Sequence, residues 1–470
     1  MIFHPKNEKR GAGAFILPKK VCAACHPCLD KPILKEFFQS FAFGASVLDT
    51  RPADGYTFTV GETAALPLDG CAYSLRIDES GIALAAESEQ ALIHGFMTLL
   101  DRFAAVDLDG GVGVEIEACE ITDRAAIGNR MVHFCVFPET ELWEIQRFVR
   151  LAGALKYTHL VLEFWGMLRY DCLGALSWDS AFEKEQITPI IKEANDLGIE
   201  IIPMFNQWGH ASACRVMHGK HVVLDQDPSL QTYFTDDGWC WDIRKPKVRA
   251  LLRKVREELC ALCGEGSYFH VGCDEAYNFS FSEESMDFIT DFLNEVAEEM
   301  RAKGRRIIAW GDMFLYRHPS FNKDNVYCCG APSAEKEAYM LTKLDKSIII
   351  ADWQYDAKHF PVETASVFAK AGFDTMLCPW DCGFAETSAC TKTAKAEGLF
   401  GILHTTWHTL SRGMPYVLLA AVQCLEEGCA MDYKHARTCT CTATLLRKVM
   451  PACGDYERAG FSKKQIGFLW

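Results

Sequence analysis

Apolar positions change rhythm along the chain. Over residues 73–88 (YSLRIDESGIALAAES) they alternate with polar positions on either side of a Glu-Ser-Gly turn, which predicts a β-hairpin. Residues 89–103 bring Ala91, Leu92, Phe96, Leu99 and Leu100 onto one helical face. Residues 111–123 return to alternation and predict another strand. Residues 1–123 thus read as a small α/β domain. From residue 124, short apolar runs of strand length alternate with amphipathic helical stretches. Strands are predicted over 130–136, 159–164, 200–205, 267–273, 306–310, 347–353, 373–379 and 399–407, with helical segments such as 139–156 and 245–262 between them. Eight strand–helix units over about 280 residues predict a (β/α)8 TIM barrel across 124–426. Residues 325–330 (NVYCCG) are a ninth candidate strand competing for one of the eight places. Residues 427–470 read as a short C-terminal helical extension. Proline and glycine are sparse at the join near residue 124, so the two domains are expected to pack together.

Composition narrows the function classes. The formal net charge is −15, with 49% hydrophobic and 24% charged residues. That balance argues against nucleic acid or an anionic membrane surface as a partner, because both reward clustered Lys and Arg. No stretch approaches the roughly 18 apolar residues needed to cross a bilayer. The N-terminal residues lack the apolar run of a signal peptide. The 22 cysteines are irregularly spaced. A cytoplasmic protein with free thiols is therefore the expectation. Cys22, Cys25 and Cys28 form a CxxCxxC spacing that metal or cluster sites use, but no second CxxC follows at zinc-ribbon distance. They are read as plain thiols, and no metal or cofactor is expected. The Cys328-Cys329 and Cys439/Cys441 pairs are weaker still.

The candidate chemistry sits where predicted strands end, which is where this fold gathers its functional groups. The first strand begins with Arg130. The second ends in Glu163-Phe164-Trp165, the third in Asn206-Gln207-Trp208-Gly209-His210, and the fourth in Cys273-Asp274-Glu275. The fifth ends in Trp310-Gly311-Asp312, and the sixth carries Asp352-Trp353-Gln354-Tyr355. The seventh runs into Trp380-Asp381 and the eighth into Trp407-His408-Thr409. A single Trp is ordinary in a core and a single acid is ordinary in water. Acids, His and Trp repeated around one barrel face point to sugar hydrolysis. Indoles suit the apolar face of a pyranose, and a protonated carboxyl supports a leaving glycosidic oxygen.

These residues resemble glycoside hydrolase family 20, the β-N-acetylhexosaminidases. His270-Val271-Gly272-Cys273-Asp274-Glu275 is similar to the family's His-x-Gly-Gly-Asp-Glu, and Gly209-His210 to its Pro-Gly-His. The resemblance implies that Glu275 is the acid–base. It implies that Asp274 orients the substrate's 2-acetamido group, whose carbonyl attacks the anomeric carbon to give an oxazolinium ion. Substrate contacts would come from Arg130, Glu163, His210, Trp310, Trp353, Tyr355, Asp381 and Trp407. The partner would be a small molecule or glycan ending in N-acetylglucosamine or N-acetylgalactosamine. The chain resembles the cytoplasmic hexosaminidase-D-type branch more than the lysosomal or secreted enzymes.

It also departs from the family pattern. Cys273 replaces the second signature glycine, and Asn206 stands where an Asp usually supports the His. Glu163 occupies the place of a missing His-Leu-x-Asp-Asp. Phe384 and Glu386 align with the family's acetamido-binding Tyr and following acid, yet a Phe cannot donate that hydrogen bond. Either Tyr355 supplies it or the loop takes another register. The alternative reading is a non-hydrolytic carbohydrate-binding barrel, or a glycosidase of altered substrate range.

Overall fold

A computed structural model describes residues 2–61, 66–108, 110–211, 224, 227–321, 330–380, 383–407, 410–426 and 435–450. All but the last residue of the candidate strand at 325–330, with the Cys328-Cys329 pair, Asp381, His408 and Thr409, lie outside the described residues. Among those described, no helix is long and apolar enough to cross a membrane.

The first domain is an eight-stranded sheet with two helices on one face. Its strands are β1 (Asn7–Ile16), β2 (Lys20–Cys25), β3 (Val47–Pro52), β4 (Thr57–Gly61), β5 (Tyr73–Asp78), β6 (Gly81–Ala86), β7 (Ala104–Leu108) and β8 (Gly111–Asp123). They run in the order β1-β8-β5-β6-β4-β2-β3, with β7 pairing with β8. The predicted hairpin is β5–β6, in register from Tyr73 opposite Ala86 to Asp78 opposite Gly81. The helices are α1 (Pro32–Phe41) and α2 (Glu89–Asp101). Ser88 caps α2 by accepting from the Ala91 N–H at 3.2 Å. Residues 7–61 held four strands and a helix that the apolar pattern left unassigned. β1, for example, is exposed at almost every position, so it shows no alternation.

Cys22 and Cys25 lie on opposite faces of β2, the first exposed and the second buried, because successive strand side chains alternate. Cys28 is buried next to it on a short 3-10 turn (Pro27–Leu29). Burial pushes the Cys25 thiol up to about 11 and the Cys28 thiol up to about 12. These are packed thiols, and they do not converge with Cys22 as a ligand set. All described cysteines are free.

The second domain is a closed parallel barrel. Its strands are β9 (Asn129–Cys135), β10 (His159–Glu163), β11 (Glu200–Met204), β12 (Tyr268–His270), β13 (Arg306–Trp310), β14 (Ile349–Trp353), β15 (Thr375–Cys378) and β16 (Gly401–His404). β16 returns to β9, with Ile402 opposite Arg130. All eight lie within the runs read from the sequence, save for a residue added at the start of β9. Helices α3 (Leu142–Ala154), α4 (Lys184–Asp196), α5 (Pro246–Cys263), α6 (Glu283–Ala302), α7 (Ala334–Lys343), α8 (Glu363–Lys370), α9 (Phe384–Glu397) and α10 (Leu410–Leu425) form the outer ring. The C-terminal helix α11 (His435–Val449) packs on α1 and α3, tying the extension to both domains.

The barrel interior sets the direction of every functional side chain. Met131, Val161, Ile202, Ile308, Ile349, Met376 and Leu403 pack together inside. With a side-chain period of two, His133, Cys135, Glu163, Trp310 and Trp353 therefore also point inward, one or two layers nearer the strands' C-terminal ends. The same parity corrects one expectation. Arg130 precedes inward-facing Met131, so it must point outward, and it does so at the strand's N-terminal end. Its guanidinium donates to the carbonyls of Lys156 (3.0 Å), Ile127 (2.8 Å) and Gly128 (3.0 Å) and meets His94 Nδ1 at 3.3 Å. It is a buried joint between the domains and cannot reach a ligand at the opposite mouth.

Lys156 completes this joint. Its ammonium donates to Thr98 Oγ1 at 2.5 Å, and the Tyr73 hydroxyl, 3.4 Å away, in turn donates to Asp123 at 2.6 Å. The packed join expected from the sequence is thus a buried polar network. Replacing Arg130 with Ala should strand three interior carbonyls and lower unfolding free energy by about 3 kcal/mol. Urea unfolding followed by tryptophan fluorescence reads this directly, and an unshifted midpoint would refute the structural role.

Candidate active site

The loop after β12 is built from unusual backbone. Gly272, Cys273 and Glu275 have φ of 65°, 78° and 51°. A Cβ at Gly272 would lie 1.6 Å from Asn206 Oδ1, so the first signature glycine has no substitute. Cys273 adopts a conformation that favours glycine, at a cost on the order of 1 kcal/mol. Gly209 is needed for a similar reason, since a Cβ there would sit 1.8 Å from the Asp274 carbonyl oxygen. The strained turn bends the chain so that neighbouring side chains, which diverge in a strand, face one pocket.

Asp274 and Glu275 do converge, and His210 joins them. His210 Nε2 is 2.9 Å from Glu275 Oε2 and 3.5 Å from Asp274 Oδ2. Asp274 is buried, and its Oδ1 has no hydrogen-bond partner among the described residues. Glu275 is anchored through its backbone. Its N–H donates to Asp312 Oδ2 at 3.0 Å, and its carbonyl accepts from Trp239 Nε1 at 2.6 Å. The other Asp312 oxygen accepts from Trp353 Nε1 at 3.0 Å. One buried carboxylate therefore fixes both the loop and an aromatic wall.

The wall continues through Tyr355, whose ring centroid lies 5.0 Å from Trp353 and 5.2 Å from Trp380. The Tyr355 hydroxyl accepts from Trp407 Nε1 at 3.1 Å, with Thr405 Oγ1 at 3.2 Å. Trp310 is deeper, its ring 4.3 Å from His270 and 6.5 Å from Trp407, and it forms the floor beneath the wall. Phe384 begins α9 and packs on Tyr416 at 5.2 Å, within the outer ring. Tyr355, not Phe384, is thus the tyrosine hydroxyl held within the aromatic wall.

Glu163 is fully buried and is held by its neighbours. It pairs with His133 Nε2 at 3.0 Å and accepts from Asn206 Nδ2 at 2.8 Å. It stands behind the pocket, which corrects the expectation of a direct substrate contact. Asn206 is therefore no weakened partner of His210, because its amide serves Glu163 instead. The negative charge absent at position 206 sits one strand away. His133, Cys135 and Glu163 bring potential ligand atoms within 4.8 Å of one another, the one such group among the described residues. The hydrogen bonds to Glu163 already account for this cluster.

Electrostatics follow from burial. Desolvation pulls the His210 imidazole down, but the carboxylates of Asp274, Glu275 and Glu163 together outweigh it and raise it to about 9. Burial, reinforced by the negative charges of Asp312, Glu275 and Glu163, holds Asp274 well above the usual carboxylate range despite His210. Burial also raises Asp312 to about 7, opposed by the two N–H groups it accepts. The cluster retains protons near neutrality that free side chains would have released.

Of the residues predicted from sequence, Asp274, Glu275, His210, Trp353, Tyr355 and Trp407 form one constellation with Trp310 at its floor. Arg130 is remote, Glu163 is one layer behind, and Asp381 lies outside the described residues. Sequence reading missed Trp239 as a support, because nothing in residues 227–245 marks a strand end. It also missed Asp312 as a clamp, although the residue lies at the end of the fifth strand.

Residues 172–406, half of the chain, match the model for the glycosyl hydrolase family 20 catalytic domain. A β-hexosaminidase of Porphyromonas gingivalis is 23% identical over 298 residues, covering 55% of this chain and 38% of that protein. The chain thus spans little more than a third of that relative's length. The β-N-acetylhexosaminidase structure from Bacteroides fragilis superposes with a TM-score of 0.65 at 17% identity, covering 97% of this chain and 95% of that one. The Flavobacterium johnsoniae chitobiase structure gives 0.68 at 16% identity, covering 95% of this chain and 72% of that one. At such identities the structural likeness speaks to fold. The extent of the family match and the signature loop at 270–275 place this chain in glycosyl hydrolase family 20.

Proposed function

We propose that this chain is a retaining exo-β-N-acetylhexosaminidase that removes a terminal N-acetylglucosamine or N-acetylgalactosamine with help from the substrate's own acetamide. Glu275 protonates the glycosidic oxygen as the bond to the anomeric carbon breaks. The acetamido carbonyl oxygen forms the new bond to that carbon, giving an oxazolinium ion and releasing the protonated leaving group. Water then attacks the same carbon, Glu275 takes its proton, and the ring reopens with net retention.

The observation that carries this reading is the buried Asp274 Oδ1, unpartnered among the described residues, next to the acid Glu275. A buried carboxylate oxygen without a donor is costly, and an acetamido N–H supplies one. The developing positive charge on the acetamide strengthens that bond in the transition state, which is where binding energy accelerates a reaction. Tyr355 is the hydroxyl suited to the acetamido oxygen, while Trp353, Tyr355 and Trp407 enclose the methyl group. His210 bridges both carboxylates and limits the repulsion between them.

Wild-type protein should hydrolyse aryl β-N-acetylglucosaminide or β-N-acetylgalactosaminide and be inhibited by a thiazoline mimic of the oxazolinium ion. Glu275→Gln should lose a factor of about 10³ in kcat/KM. Folded wild-type protein that turns over neither substrate would overturn the assignment. Arg130→Ala, though less stable, should keep its kcat/KM per folded molecule.

Tyr355→Phe keeps the ring and removes the hydroxyl, so kcat should fall about 100-fold. An intact kcat would assign the acetamido oxygen to another donor.

His210 also makes a stability prediction. Its folded-state pKa of about 9 exceeds its ordinary 6.5. The resulting stabilisation is fully present below pH 6.5 and is lost as pH rises through 9. The difference in unfolding free energy between wild type and His210→Gln should therefore shrink across that window in urea titrations. A pH-independent difference would mean that His210 does not hold the proton.

A further inference from the structure

An aromatic file runs outward from Glu275. His210, which touches the Glu275 carboxylate, lies with its ring 4.5 Å from that of Trp239. Trp239 in turn stacks on Tyr277 at 5.7 Å and 29°. Trp239 is buried and holds the Glu275 carbonyl, so its place is fixed relative to the acid. Tyr277 is two residues beyond Glu275, and its N–H donates to the same carbonyl at 2.9 Å. Yet 54% of Tyr277 is exposed, among the largest exposures of any bulky apolar or aromatic residue described. A rigidly backed aromatic face is therefore presented at the pocket mouth by the loop that carries the acid.

We propose that Tyr277, backed by Trp239, is the platform on which the first sugar of the leaving group stacks. This rests on the hexosaminidase reading and specifies its substrate class, a terminal N-acetylhexosamine linked to a further neutral sugar. The terminal sugar occupies the Trp-lined pocket, and its glycosidic oxygen must meet Glu275. Whatever is attached to that oxygen must pass the groups that flank Glu275, and His210 and Trp239 are in contact with it. The apolar face of a pyranose matches an aromatic ring in size and in its CH-rich surface. Beside the platform lies a groove of about 350 Å³ with a mostly apolar floor, whose polar lining includes Asp236, Asp237, Asp242, Arg244, Asn278 and Ser280. Its carboxylates outnumber its one guanidinium, so the groove disfavours sialylated or sulfated groups.

The test compares two substrates whose leaving groups are both aliphatic alcohols: a β-N-acetylhexosaminyl disaccharide and the methyl β-N-acetylhexosaminide. The disaccharide alone can stack on the platform. Tyr277→Ala should lower the ratio of their kcat/KM values, disaccharide over methyl glycoside, about tenfold, mainly through KM for the disaccharide. Tyr277→Phe should restore the ratio, because the ring is kept. Equal losses on both substrates would show that Tyr277 only supports the Glu275 loop, and an unaltered ratio would show no platform; either result overturns the proposal. Wild type that cleaves the methyl glycoside as well as the disaccharide overturns the platform alone. Wild type that cleaves neither overturns the hexosaminidase reading and the platform with it.

Discussion

The site depends on one buried carboxylate. Asp312 accepts from the Glu275 backbone N–H and from the Trp353 indole, and so joins the acid-bearing loop to the aromatic wall. Both bonds need an acceptor, which is the ionised form. Burial resists ionisation and holds Asp312 at about 7. The clamp is therefore poised, and its two N–H donors are what keep a desolvated carboxylate tolerable. Without it, the left-handed backbone at Cys273 and Glu275 would lose a partner that holds it in a strained conformation.

A second constraint is charge. Asp274, Glu275, Asp312 and Glu163 crowd one barrel end, with His210 as the basic group touching both Asp274 and Glu275. Like charges in a low-dielectric interior cannot all ionise, so protons are retained. The exchange of roles between Asn206 and Glu163 shows how this is arranged. The amide at 206 donates to Glu163, and the charge that could have supported His210 from position 206 reaches it from the next strand. What looks in sequence like a loss is a relocation.

The two domains share a further buried network at the far end of the barrel. Arg130 and Lys156 bond to nearby carbonyls and hydroxyls, and Tyr73 bonds to Asp123, so the joint, which has a cavity of about 260 Å³ beside it, is polar. It fixes the small domain against β9 without contributing to the chemistry. Substrate recognition and domain docking thus use opposite ends of the same strands.

The eight barrel strands were legible because each is a short apolar run flanked by a helical period, and local pattern suffices for that. The Asp274-Glu275 pair was legible because the glycine and carboxylate spacing of 270–275 reflects a backbone turn written in consecutive residues. The first strands of the small domain were not legible, since an exposed edge such as β1 carries no alternation. Arg130, Glu163 and Tyr355 were decided only in three dimensions. Whether an inward or outward face belongs to position 130 depends on which neighbours fill the barrel, and Met131 takes the inside. Whether Glu163 meets substrate or supports it depends on His133 and Asn206, which are 30 and 43 residues away. Sequence determined the barrel elements and the Asp274-Glu275 turn through short-range pattern; the tertiary structure decided direction, depth and partnership, because those are set by contacts between distant strands.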